Sequence, residues 1–151
     1  MTEVLFYHLE NQPLERVIPV LLEKTLERGW KAVVEAGSPE RAAALDGTLW
    51  TWRDDSFLPH GIAGQPTDAE QPVLITTETD NPNGANVRFF VDRAVPRDVG
   101  GYERVVYLFS GHDPDAVAEA RVAWKALSTP DNAVTYWQQE ANGRWVKKAE
   151  S

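Results

Sequence analysis

Apolar and polar positions along the chain alternate between two rhythms. Thr2 to His8 is a short apolar run of strand character, after which Leu14, Val17, Ile18, Leu21, Leu22 and Leu26 recur at the spacing of one helix face. Pro13 suits the first turn of that helix, Pro19 marks a kink or a late start, and Gly29 ends it before a second strand at Lys31 to Val34. Ser38-Pro39-Glu40-Arg41 supplies a capping serine and a proline at the first helical position, so a second helix runs to about Trp50 or Trp52. From Arg53 to Pro72 periodicity is lost and glycines and prolines accumulate, which predicts a long surface connection.

Strands at Val73 to Thr77 and Asn86 to Asp92 flank the turn signal Asp80-Asn81-Pro82-Asn83-Gly84. Arg104 to Phe109 is almost wholly apolar, as a central parallel strand covered on both faces should be. Asp113-Pro114 caps a third helix reaching roughly Leu127, and two terminal strands follow at Ala133 to Gln139 and Arg144 to Lys148. Strands alternating with helices predict an α/β fold: one three-layer, mostly parallel sheet with helices on both faces, formed by a single domain of residues 1–151.

Composition narrows the chemistry. At 151 residues the chain can bury a core without covalent staples, and it has no cysteine, which removes disulfides, thiolate metal sites and cysteine nucleophiles together. No apolar run is long enough for a membrane span and the start lacks a basic leader, so the expected location is cytoplasmic. The net charge of −8 disfavours a main activity of gripping a nucleic-acid backbone. The last 31 residues differ, with five Lys and Arg against three Asp and Glu and three of the six tryptophans, Trp124, Trp137 and Trp145. Basic groups among aromatics suit a ligand that is both anionic and apolar.

The usual catalytic constellations are missing. No G-x-x-x-x-G-K-S/T or G-x-G-x-x-G occurs, and the segment after the first strand, Leu9-Glu10-Asn11-Gln12-Pro13, has no glycine and carries an acid where a phosphate would sit. His8, His60 and His112 lie far apart and read as strand-end or loop histidines, Asp54-Asp55 as solvated surface. No G-x-S-x-G elbow is present. No cofactor and no metal are expected. A small nucleotide-dependent enzyme, or a direct binder of single-stranded DNA through the C-terminal segment, are the alternatives from other classes.

Phe6-Tyr7-His8-Leu9, Leu45-Asp46-Gly47-Thr48-Leu49-Trp50 followed by Ser56-Phe57-Leu58-Pro59-His60, and Ala120-Arg121-Val122-Ala123-Trp124-Lys125 carry a resemblance over essentially the whole chain. It resembles the chi subunit of bacterial DNA polymerase III, a clamp-loader accessory protein. The resemblance implies a non-catalytic adaptor on a Rossmann-like sheet without a nucleotide. It would bind the acidic C-terminal tail of single-stranded DNA-binding protein, which ends in a phenylalanine carboxylate, and a clamp-loader or psi-like subunit on another face. Neither a membrane nor direct nucleic-acid contact is implied. The segment from Val134 to Lys148 extends beyond the end of the best-known members.

On that basis the tail is assigned to Arg121, Trp124 and Lys125, which share one face of the third helix at i, i+3 and i+4, with Tyr136 or Trp137 from the next strand. Alternatively Val117, Ala120, Trp124 and Leu127 form a buried stripe flanked by solvated Arg121 and Lys125. Arg144, Lys147 and Lys148 are the fallback site. Trp50 and Phe57 are assigned to the second partner, the competing reading being that both are core.

Overall fold

A computed structural model describes residues 2–51, 59–97 and 99–151. The elements are β1 (Thr2–Leu9), α1 (Leu14–Glu27), β2 (Ala32–Glu35), α2 (Pro39–Thr51), β3 (His60–Ile62), β4 (Val73–Thr76), β5 (Val87–Phe90), β6 (Arg104–Ser110), α3 (Pro114–Leu127), β7 (Asn132–Gln139) and β8 (Trp145–Glu150), with a 3-10 turn at Asp68–Glu70. The eight strands form one sheet in the order β3-β4-β2-β5-β6-β1-β7-β8. Every neighbouring pair is parallel except β7 with β8. The fold is thus the expected three-layer α/β arrangement.

Local chemistry sets the helix boundaries. The Ser38 hydroxyl accepts from the Arg41 amide at 3.2 Å at the start of α2. The Asp113 carboxylate accepts from the Asp115 and Ala116 amides at 3.0 and 3.3 Å, satisfying two donors that α3 cannot pair internally. Helix α1 begins at Leu14 and carries Pro19 buried within it, so the proline does not delay the start.

Packing divides the two faces. On one, Val17, Ile18 and Leu22 of α1 and Ala42, Leu45 and Leu49 of α2 meet Val34, Ile75, Phe89 and Val106 of the sheet. On the other, Ala116, Ala120, Ala123 and Leu127 of α3 lie over Val4, Phe6, Val105, Tyr107 and Val134. Three alanines in that stripe let the helix sit close to the strands. The remainder of the α3 face is covered without a helix: the β4–β5 and β5–β6 connections contribute Ala85, Ala94, Val99 and Tyr102. Beneath them Arg88 is 1% exposed and bonded to Glu35, to the Tyr102 hydroxyl and to the Asp80 and Glu78 carbonyls.

Two expectations need correction. The stretch from Arg53 to Pro72 is not one uninterrupted surface connection, because His60–Ile62 joins the sheet edge beside β4 and a 3-10 turn follows. Three residues including a glycine are too few to show a period of two, and the strand exists only through its pairing with β4. Strand β5 ends at Phe90 rather than running to Asp92, since Asp92 and Arg93 adopt φ of 50° and 70°, outside extended geometry.

Candidate functional site

Strand alternation sends Val4, Phe6 and His8 of β1 toward α3, and the register aligns Phe6 with Tyr107 of β6 and Tyr136 of β7, and His8 with Phe109. An aromatic row therefore crosses three parallel strands. Phe6 is fully buried. Trp124, half-buried at the flank of the alanine stripe, packs edge-on against Phe6 at 5.3 Å and against Tyr136 at 5.9 Å between ring centres. Phe109 closes the group, 5.1 Å from the His8 ring and 6.0 Å from Tyr136.

A polar chain runs through this row. The Tyr136 hydroxyl lies 2.6 Å from His8 Nδ1, and His8 Nε2 lies 2.8 Å from Glu10 Oε1. Gln138 Nε2 donates to the same Glu10 oxygen at 3.3 Å. Burial pushes the Tyr136 hydroxyl above its ordinary pKa, while the Arg121 guanidinium pulls it down and Glu10 pushes it further up. Arg121 and Lys125 are exposed, and among the described residues neither forms an ion pair.

The structure therefore brings together Arg121, Trp124 and Tyr136, whereas Lys125 is exposed one turn beyond Arg121 on α3, away from the side that meets the sheet. Trp124 is packed against the core and only partly buried, so it is neither fully core nor a free surface ring. The structure does not bring Trp137 to them. Trp137 follows Tyr136 on a strand and points to the opposite face, where its indole donates to Thr135 Oγ1 at 2.9 Å and its register partner is Tyr7. The period of two forbids adjacent strand residues from lining one pocket. His8, Glu10, Phe6 and Phe109 were missed, because only the pairing of β1 with both β6 and β7 makes them neighbours of α3.

The second proposed surface lies elsewhere. Trp50, 55% exposed near the end of α2, lies 4.5 Å from His60 of β3 between ring centres, tilted by 50°, and His60 Nε2 is 3.1 Å from Asp46. Its exposure sets aside the core reading for this tryptophan. Phe57 lies outside the described residues. Between β3 and β7 there are six inter-strand steps, about 29 Å at roughly 4.8 Å each. Helices α2 and α3 also occupy opposite faces. The fallback cations Lys147 and Lys148 are exposed on the edge strand β8, with Lys147 3.2 Å from Glu150.

A cleft of about 700 Å³ opens at the ends of β1 and β6, where sheets of this kind bind nucleotides. Its wall carries Glu10, and its cations are engaged: Arg41 lies 3.3 Å from Asp92 and 3.7 Å from Glu15, while Arg93 forms a two-pronged pair with Glu119. Among the described residues no cluster of three or more metal-ligating side chains occurs, and no helix is long and apolar enough to cross a membrane.

Residues 1–135 match the model of the family described as DNA polymerase III chi subunit, HolC. The probable DNA polymerase III subunit chi of Rickettsia prowazekii is 32% identical over 99 residues, which span 66% of this chain and 58% of that protein. The DNA polymerase III subunit chi of Pseudomonas aeruginosa is 28% identical over 111 residues, 72% of this chain and 77% of the relative. A chain from the complex of the S. cerevisiae Dbp5 C-terminal domain with Gle1 and IP6 superposes with a TM-score of 0.56 at 13% identity, covering 90% of each chain, a likeness of fold alone. The family match stops one residue before Tyr136, so β8 and the second half of β7 fall beyond it.

Proposed function

The chain belongs to the DNA polymerase III chi-subunit family, and from that premise we propose that it is a non-catalytic replication adaptor with two separate protein-binding surfaces. The α3 face takes the acidic C-terminal tail of single-stranded DNA-binding protein. The Trp50 surface, with Phe57, takes a clamp-loader or psi-like subunit. The protein works in the cytoplasm, held at the nucleoid through the replisome, without a cofactor of its own.

One observation supports the first assignment: in a chain of net charge −8, exposed Arg121 and Lys125, without carboxylate partners among the described residues, lie one turn apart on α3 beside Trp124, whose ring meets Tyr136. Arg121 can take a carboxylate through two parallel hydrogen bonds, Lys125 adds a mobile charge, and the edge of Trp124 with Tyr136 offers an apolar rest for a terminal ring. A tail bearing a ring, a terminal carboxylate and further acids matches each element. The separation of about 29 Å across the sheet supports simultaneous occupation of the two surfaces.

Titration of a fluorescently labelled tail peptide tests the reading. Arg121→Ala and Lys125→Ala should each weaken binding about ten- to a hundredfold, the loss expected for one charge-assisted contact of ~1.5–3 kcal/mol. Wild-type affinity in both folded variants would move the site to Arg144, Lys147 and Lys148.

A further inference from the structure

We propose that the acidic peptide taken by the α3 face runs on over the crest of that helix into an apolar groove on its far flank, which receives an aliphatic side chain about five residues before the peptide's aromatic end. The inference rests on the reading of the α3 face as an acidic-peptide site and adds a second apolar contact to it.

The groove has a volume of about 330 Å³ and lies between α3 and the connection from β5 to β6, with Ala94, Val95, Pro96, Tyr107, Val122 and Ala126 in its lining. Val122 and Val95 are 71% and 66% exposed, more than any other large apolar side chain among the described residues. Scattered apolar residues on a surface are ordinary, but two that line one groove mark a place where something apolar binds. The groove's own charges cancel, because Arg93 is held by Glu119 through two hydrogen bonds. The wall opposite α3 is braced from below: Arg97 Nη1 donates to the Val95 carbonyl at 2.8 Å and lies 3.3 Å from the buried Glu35.

The helix orders the contacts. At about 3.6 residues per turn, a path around α3 from its β7 side runs through Trp124, Arg121, Lys125, Val122 and Ala126 in that order. Trp124 meets Tyr136 on the first flank, and Val122 and Ala126 line the groove on the other. Arg121 and Lys125 stand between, exposed and without ion pairs among the described residues. Half the circumference of a helix about 10–12 Å across is roughly 16–19 Å, which an extended chain at about 3.3 Å per residue covers in about five residues. Two unpaired cations between two apolar contacts call for an acidic segment with an apolar group at each end. The peptide's terminal ring lies at Trp124, its carboxylates over Arg121 and Lys125, and its aliphatic side chain beside Val122. Lys125, which points away from the sheet, thereby gains a ligand contact.

Fluorescence titration of the full-length protein tests this with three labelled acidic peptides that all end in a free aromatic carboxylate. One has four residues, and two have ten, with either leucine or serine five positions before the end. The leucine peptide should bind about fivefold or more tightly than the serine peptide, the return from partly burying one aliphatic side chain. Val122→Ser and Val95→Ser, both at exposed positions, should each reduce that advantage and leave the affinity of the short peptide unchanged. In wild type, the methyl NMR signals of Val95 and Val122 should shift with the leucine peptide and stay in place with the short one. Equal affinities for the leucine and serine peptides, or a leucine advantage that survives both substitutions together, overturn the inference. So does a wild-type dimer that Val122→Ser makes monomeric, since the groove then belongs to a second copy of this chain. Arg121→Ala separates the inference from the reading beneath it. A short peptide that binds Arg121→Ala as tightly as wild type removes both, whereas a short peptide weakened by Arg121→Ala, with leucine and serine peptides of equal affinity, removes this inference alone.

Discussion

Glu35 and Arg88 form an ion pair with 4% and 1% of their side chains exposed, on adjacent strands in the middle of the sheet. The pair stands where a crossover helix would otherwise present apolar side chains. Arg88 also ties down the Asp80 and Glu78 carbonyls of one helix-free connection and the Tyr102 hydroxyl of the next, and Arg97 reaches the second Glu35 oxygen at 3.3 Å. Arg88→Ala leaves Glu35 buried with only that outer partner. Urea denaturation should show a loss of about 3–5 kcal/mol, as when one member of a buried pair is removed. Pairing Arg88→Met with Glu35→Gln should recover much of it. A loss under 1 kcal/mol for Arg88→Ala would show that water replaces the guanidinium.

Gly111 lies against the His8 ring because a Cβ there would come within 2.0 Å of Nε2 and 2.4 Å of Cδ2. Gly111→Ala should cost about 1–3 kcal/mol, the usual penalty of overpacking. Adding His8→Ala should return part of that loss in a double-mutant cycle, and strict additivity of the two changes would contradict the contact.

Burial raises the Asp92 carboxyl pKa above the ordinary 3.8, with Arg41 opposing the rise. The unfolded chain gives up this proton more readily than the folded one. The associated stabilisation is therefore present below pH 3.8 and is lost as pH rises through the folded value. Asp92→Asn cannot ionise, so its stability relative to wild type should increase across that window. Thermal melts taken from pH 3 to pH 7 check the sign, and a relative decrease would place the dominant influence on Arg41 instead of burial.

Trp50 and Trp124 should respond oppositely to truncation. Trp50→Ala, at an exposed position, should alter stability by no more than about 0.5 kcal/mol while weakening capture of the second partner. Trp124→Ala removes ring contacts to Phe6 and Tyr136 and should cost about 2–3 kcal/mol, below the range for a fully buried tryptophan. Calorimetric melts read both, and equal losses would contradict the assignment of surface to one and wall to the other.

Much of the fold was legible because its signals are local. The apolar run of β6, the Asp113 cap and the periodic leucines of α1 depend on neighbours a few residues away. The strand order was not, since it depends on pairings that no local pattern encodes. The site shared this division. Arg121, Trp124 and Lys125 could be grouped from helix spacing alone, whereas His8 joins them only through the register of β1 with β7. Trp137 shows the converse: proximity in sequence to Tyr136 suggested a shared pocket, and strand alternation separates the two.

Strand β1 precedes every other described strand in the sequence yet lies between β6 and β7, with Glu3 paired to Arg104 across 101 residues and His8 to Tyr136 across 128. Until β6 and β7 have been made its two edges therefore lack their native neighbours, and loop closure over such spans is slow. The aromatic group is assembled from segments more than a hundred residues apart in sequence. A polypeptide whose translation stops before β7 has the cations of α3 but no Tyr136 for His8 to hold, so this aromatic group exists only in chains that have been read through β7.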